Sequence, residues 1–579
     1  KCAAKHDLGP GFQLNQLVLG EHSGGLTLSG DAVTFVKEPA HRIPPAIRAT
    51  KCGIVNINVP VTLQDDLTVV TFPDKDPNCF LTFNEVISGP HALILQSSGD
   101  PDVAGINFHD VHFGVVEITN SNTYSGGTLI SGGKINVRQS DGLGTGPVAL
   151  DRFATLSNER ELANPVVINE GTLFHCNLSG PIKLNGNAGF IGNCIISGSM
   201  SGPGGFTMFG TNGTYLSMVP GGTVTLSGAN SYTGPTRVFP GTLVVKKAAS
   251  LYNADAAKWT AANLTIHKAA TLRLHVGGHG EFTGEQVGTL LGNLTRTVNE
   301  NGMMGGSFLC LDTANATDLV TIAARLEDSK GPGGGAFVFR KCGSGAMQLS
   351  GDNTYTGQTI LEGGSLSVAS FNSFAPANRK PGSSLGAPRD IESSEIVIGE
   401  ESKDGDCALI YTGTGESTDR VINLAGKHDT VTFEQSGTGS LKFTSAILIS
   451  GYGADKSISL KGDTAGTGEL AGSLADPHDR TGKARTSLTK SGIGTWILSG
   501  ANTFTGPTRL TQGNLTIANV HGLSDKTELH ISEGATLQLD FKGEMHIGKL
   551  TIGGKPQPPG TYDAMNTPEF IKGSGALKY

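Results

Sequence analysis

Four stretches of this 579-residue chain repeat one another without a fixed period. They read "ITNSNTYSGGTLISGGKINV" from Ile118, "LSGANSYTGPTRVFPGTLVV" from Leu226, "LSGDNTYTGQTILEGGSLSV" from Leu349 and "LSGANTFTGPTRLTQGNLTI" from Leu498. Aligned, they share an Asn (Asn122, Asn230, Asn353, Asn502), an aromatic two residues on (Tyr124, Tyr232, Tyr355, Phe504) and a Gly two beyond that (Gly126, Gly234, Gly357, Gly506). A Thr follows (Thr128, Thr236, Thr359, Thr508), then a second Gly (Gly133, Gly241, Gly364, Gly513) and two aliphatics in alternation, such as Leu515 and Ile517. Alternating apolar positions, cut by Gly and Asn, are the mark of short strands joined by tight turns. Glycine reaches positive φ without a steric penalty, and Asn closes turns through its own side chain.

In "GTWILSGANTFTGPTRLTQGNLTIANV" the sequence gives strand, turn, strand, turn, strand, which is one coil of a parallel β-helix. The four Asn are 108, 123 and 149 residues apart, too far at roughly 20 residues per coil for them to touch. The motif is therefore a local corner, reused wherever a coil needs the same bend, with looser coils between. The fold class expected is all-β, a parallel β-helix (β-solenoid) with a small partly helical insertion. Helix signals occur in "YNADAAKWTAAN", with Asn253 or Asp255 as N-cap, and in "FTGEQVGTLLGNL", with Thr283 as cap. The expected organisation is an N-terminal part of the β-helix over 1–245, β-helix with the insertion over 246–335, and a C-terminal part over 336–579 that includes a Pro/Gly/Ser-rich surface loop at 371–390.

Composition narrows the function. Glycine is 83 of 579 residues and charged residues are 16%, against an ordinary share of about 25%. The net charge is -8 with no basic run, so no nucleic-acid partner is expected. No stretch of 18 apolar residues is present, so no membrane-spanning segment is expected either. The opening "KCAAKHDLGP" has no charged-then-apolar leader, so any export signal is expected to have been removed or never present. Eight Cys suit an oxidising compartment, and Cys176 and Cys194, close to one coil apart, are the disulfide candidate; two buried thiols are the other reading.

The four copies, with the lead-in "KSGIGTWILSG" from Lys490 and its echo "KCGSGAMQLSG" from Lys341, resemble the autotransporter-associated β-strand repeat, also called the passenger-associated transport repeat, of large secreted bacterial proteins. The resemblance implies a right-handed winding and an extracellular or cell-surface location. It carries no catalytic residue, because the repeat is architectural. An autotransporter's membrane barrel of alternating ten-residue strands is not seen, so the expectation is a barrel cleaved away or another export route.

Candidate chemistry is thin. Gly382, Ser384 and Gly386 have the spacing of a nucleophile elbow without its strand-to-helix context. His109, Asp110 and His112 do not share one face of a strand, and Asp74 with Asp76 or Asp404 with Asp406 supply too few ligands for Ca²⁺. Lys461, Asp463, Asp479 and Arg480 have no spacing that demands a lyase or hydrolase site. Six Asn-x-Ser/Thr sites (Asn177, Asn212, Asn263, Asn293, Asn315, Asn514) fit Asn-rich turns. No catalytic residue, metal site or cofactor is expected. The function expected is a structural or adhesive surface protein, with another copy of itself (head to tail) or cell-surface glycans as partners. The alternatives are a β-helical carbohydrate-active enzyme and a non-catalytic glycan-binding passenger.

Overall fold

The computed structural model describes residues 2–9, 11–20, 25–40, 42–50, 53–72, 79–97, 114–209, 221–399, 405–427, 430–450, 454–478 and 482–579. It forms two compact units, one of Lys1–Arg273 with Asn301–Met303, the other of Leu274–Glu300 with Met304–Tyr579.

The first unit is a parallel β-helix. Its longest wall is a sheet of twelve strands running from Cys2–His6 to Leu264–Ile266, beside a nine-stranded and a four-stranded sheet. Parallel register stacks like on like. Ile135 lies over Leu156, followed by Leu173, Phe190, Met208, Val238 and Ile266, and each of these side chains is fully buried. Burial of each such side chain stabilises the stack by roughly 2 kcal/mol. Between paired strands of this unit coil length varies, from Val166 to Ile182 at one extreme to Phe80 to Val115 at the other, because loops outside the strands absorb the excess. The uneven interval of the sequence repeat follows from that.

The second unit is built the same way. An inward column passes from Met347 through Leu366, Leu409, Phe433, Leu460, Lys490 and Leu510 to Ile531 and Ile552. Two of its sheets finish in antiparallel strands, Lys555–Pro556 against Lys549–Ile552 and Thr561–Tyr562 against Ala576–Lys578. No helix among the described residues is long and apolar enough to cross a membrane.

The expected helix near Asn253 is a run of short 3₁₀ helices, not an α-helix, over Ala248–Ser250, Tyr252–Ala254 and Ala256–Lys258, the last with Asp255 as its N-cap, accepting the Ala257 N–H. Tyr252, Asn253 and Ala254 all have φ between 53° and 59°, which no α-helix tolerates. The Tyr252 hydroxyl is held by the Gly234 and Asn263 carbonyls, and Trp259 Nε1 donates to Leu251 O. Aromatic anchoring here overrides alanine's helix propensity. The helix at Gly284–Leu294 forms with Thr283 as cap and Gln286 closing a capping box.

The 371–390 segment is a surface loop only in part: residues 376–378, 380, 381, 389 and 390 are exposed, and its two flanks are packed inside. Phe371, Asn372, Ser373, Ser383, Ser384 and Leu385 are all buried, and the wholly buried Arg420 ties the segment down by donating to the Phe371, Leu385 and Ser394 carbonyls. Buried carbonyls need donors, and the guanidinium supplies them to three parts of the chain at once.

Candidate functional site

The repeated residues build four corners of the same design. In each, the Asn side chain joins three successive coils. Its Oδ1 accepts the backbone N–H of the preceding coil: Ile87 for Asn122, Met200 for Asn230, Leu326 for Asn353 and Leu474 for Asn502, at 2.6–2.8 Å. Its Nδ2 donates to a carbonyl of the following coil, that of Gly142, Ser250, Ser384 and Gly522 respectively, at 2.6–2.8 Å. All four Asn are buried. Only a side chain with a donor and an acceptor at the end of a short stem satisfies both coils at once.

Two residues on, the aromatic ring fills the corner. The hydroxyls of Tyr124, Tyr232 and Tyr355 bond to Thr128, Thr236 and Thr359 at 2.6–2.8 Å. Burial pushes the Tyr355 phenol up to about 12 and those of Tyr124 and Tyr232 well above the ordinary range, so they stay neutral. A Cβ on Gly126, Gly234, Gly357 or Gly506 would collide with the backbone of the preceding coil at His91, Gly204, Phe337 and Thr486. The later glycines, Gly133, Gly241, Gly364 and Gly513, have φ of 80°, 149°, 69° and 73°.

The lead-in lysines have a role the sequence did not disclose. Lys341 and Lys490 sit in inward columns, fully buried, where period-two alternation calls for an apolar side chain. Each ammonium donates to three backbone carbonyls: Cys342, Gly343 and Gly363 for Lys341, and Ser491, Gly492 and Gln512 for Lys490. Burial lowers both to about 8.

The elbow-like triplet belongs to a corner: the Ser384 carbonyl receives Asn353, and the buried Ser384 Oγ accepts the Ala369 N–H. Lys461 pairs with Glu434, Asp463 accepts the Ile493 N–H and Asp406 the Thr430 N–H, so each is tied into the coil framework. Asp74, Asp76, His109, Asp110, His112, Asn212, Asp404, Asp479 and Arg480 lie outside the described residues.

The expected Cys176–Cys194 bridge is absent, and both are buried thiols. Spacing does place them opposite each other, since Asn177 pairs with Ile195 in adjacent coils. Their sulfurs lie instead against backbone carbonyls, Cys176 on Leu156 and Cys194 on Leu173. Burial raises both thiols, Cys194 to about 11. A disulfide does join Cys310 to Cys342, between neighbouring strands of the second unit.

A groove of about 540 Å³ opens on the outer surface of the first unit, lined among others by Lys134, Asn158, Phe174, His175, Asn193 and Ile195. Sequence reasoning passed over it, because its residues come from five separate strands and the turns beside them.

The passenger-associated transport repeat matches residues 114–137, 221–245, 339–368 and 488–517, the four corners with their flanking strands. The chain is 30% identical over 435 residues, 70% of its length, to the adhesin BmaC autotransporter of Brucella suis biovar 1 (strain 1330). It spans 12% of that relative's length. No solved structure matches. Each of the four matched segments contains one of the buried corners, so the chain carries four passenger-associated transport repeats.

Proposed function

We propose that this chain is an adhesive stretch of an extracellular bacterial surface protein, and that it acts as a binding wall, not as a catalyst. The observation that carries this reading is the spending of all four repeated Asn side chains on coil-to-coil bonds, which leaves the corners a scaffold. The relative it resembles is an adhesin. A stack held by continuous backbone ladders is stiff, which suits a protein that presents an outer face at a distance from its anchor.

End-to-end polymerisation is the less favoured version. Open sheet edges invite strand addition. In the second unit the antiparallel strands at Lys555–Pro556 and Thr561–Tyr562 cover two such edges, and Pro556 has no N–H to offer a further strand.

The test is binding of the purified, labelled chain to cultured epithelial cells, beside an unrelated β-helix of similar size. Saturable binding that the unlabelled chain competes away is the expected result. Binding no greater than that of the unrelated β-helix overturns the reading.

A further inference from the structure

We propose that the groove between Lys134 and Ile195 binds an acidic saccharide, a hydroxylated ring carrying a carboxylate. The proposal rests on the adhesive reading for its setting and names the chemistry that such a surface would recognise.

The groove forms where the chain changes direction. Strand Thr172–Phe174 ends at His175, whose φ of 52° turns the backbone into Asn177–Leu178. The outer faces of Gly133–Val137, Ala154–Asn158 and Thr172–Phe174 then meet those of Asn177–Leu178 and Cys194–Ile196 in a concave corner. A left-handed conformation is costly for a residue with a side chain. Gly192 accommodates it, because a Cβ there would strike the imidazole.

The polar groups left over in this corner are complementary to one kind of ligand. Lys134 Nζ lies 4.3 Å from the centre of the Phe174 ring, with no carboxylate within ion-pair distance among the described residues. Burial holds this lysine below its usual range, so an arriving carboxylate gains more there than it would at an open surface. The other cation, Arg138, is already matched by Glu117 and Glu159.

Asn158 is 3% exposed and its Oδ1 has no hydrogen-bond partner. Its amide cannot turn over, because Nδ2 is committed to the Arg160 and Asn177 carbonyls. An unpaired buried acceptor costs about 1–3 kcal/mol, which a ligand hydroxyl would recover once the side chains over Oδ1 move aside to admit it.

Donors stand on the other side. Asn193 uses Oδ1 to accept the Thr223 N–H, which leaves its Nδ2 for a ligand. His175 Nδ1 accepts the Asn193 N–H, so in the neutral ring Nε2 carries the proton. Phe174 and the half-exposed Ile195 add apolar surface for a ring face. The volume falls within the roughly 300–1,000 Å³ of small-molecule sites. Glu159, more than half exposed beside Arg138, disfavours a phosphate dianion and leaves a monocarboxylate as the better match.

The experiment titrates the whole chain with 3′-sialyllactose, digalacturonate and lactose, followed by calorimetry and by saturation-transfer NMR. The expected result is binding of at least one acidic probe and none of lactose. Lys134→Gln is expected to weaken the acidic probe about tenfold or more. Ile195→Glu, at an exposed position away from the core, is expected to repel the ligand's carboxylate and block the groove while circular dichroism stays unchanged. If neither acidic probe binds at about 10 mM, or if both variants bind as the parent does, the proposal is overturned. Cell binding without any saccharide binding overturns the groove alone and spares the adhesive reading. Saccharide binding without cell binding does the reverse.

Discussion

Phe504 occupies the corner position that a tyrosine holds in the other three repeats, and the Thr508 hydroxyl beside it is buried without a hydrogen-bond partner. The ring is equally buried in all four corners, so the difference is one hydroxyl group.

Phe504→Tyr should therefore stabilise the second unit. The other corners show that the added oxygen fits 2.6–2.8 Å from the threonine. A net hydrogen bond is worth about 1 kcal/mol, and Thr508 also ceases to be an unpaired buried group. Urea denaturation should show a gain of roughly 1 kcal/mol, and Tyr355→Phe a loss of similar size. No change in either variant would mean that these hydroxyls contribute nothing to stability.

Asn353→Ala should cost about 2–4 kcal/mol, because it strands the Leu326 N–H and the Ser384 carbonyl in adjoining coils. Hydrogen exchange localises the effect. The Leu326 amide should lose protection along with its neighbours, while amides of the first unit exchange at their original rate. Uniform loosening of both units would contradict the local-staple role.

Two glycines in the same unit make a paired test of backbone crowding. At Gly357 a Cβ would run into the Phe337 carbonyl in the preceding coil, whereas at Gly292, on the exposed side of the helix, nothing lies within 4 Å. Gly357→Ala should destabilise by about 3 kcal/mol and Gly292→Ala should stabilise by about 0.5–1 kcal/mol. Thermal melts of the two variants check the opposite signs.

How far the sequence disclosed this arrangement depends on whether a residue's partner is local. Asn122 and its counterparts were legible as corners, since Asn and Gly at fixed spacing define a turn by themselves. Their bonding partners were not, because they are backbone groups of coils 20–35 residues away with unrelated side chains. Lys490 was hidden for a different reason. A lysine in an alternating strand reads as facing water, and only the stacking of carbonyls at the following turn gives its ammonium a place inside. The groove was hidden because Lys134, Asn158 and Asn193 meet only once coils of unequal length have stacked.

The buried lysines make a pH test with a definite sign. Lys341 titrates at about 8 in the folded chain, against 10.5 for the free side chain, because burial penalises the ammonium. Between those values the unfolded chain binds more protons than the folded one, so the contribution of Lys341 to stability rises with pH across the window from about 8 to about 10.5. Below it both states are charged and the contribution is constant. Lys490, lowered likewise to about 8, adds a rise of its own, and the thiols of Cys194, raised to about 11, and Cys176, raised too, act oppositely above pH 9, so the raw profile of the parent mixes all of them. Subtracting the profile of Lys341→Met removes the others, since both thiols lie in the other unit and Lys490 several coils away, and they titrate alike in both proteins. The difference, read from urea midpoints at pH 7, 8, 9 and 10, should be flat up to about 8 and then climb in favour of the parent. A flat difference throughout would mean that Lys341 keeps an ordinary pKa, and a falling one would mean that its three carbonyls hold the ammonium more tightly than water does.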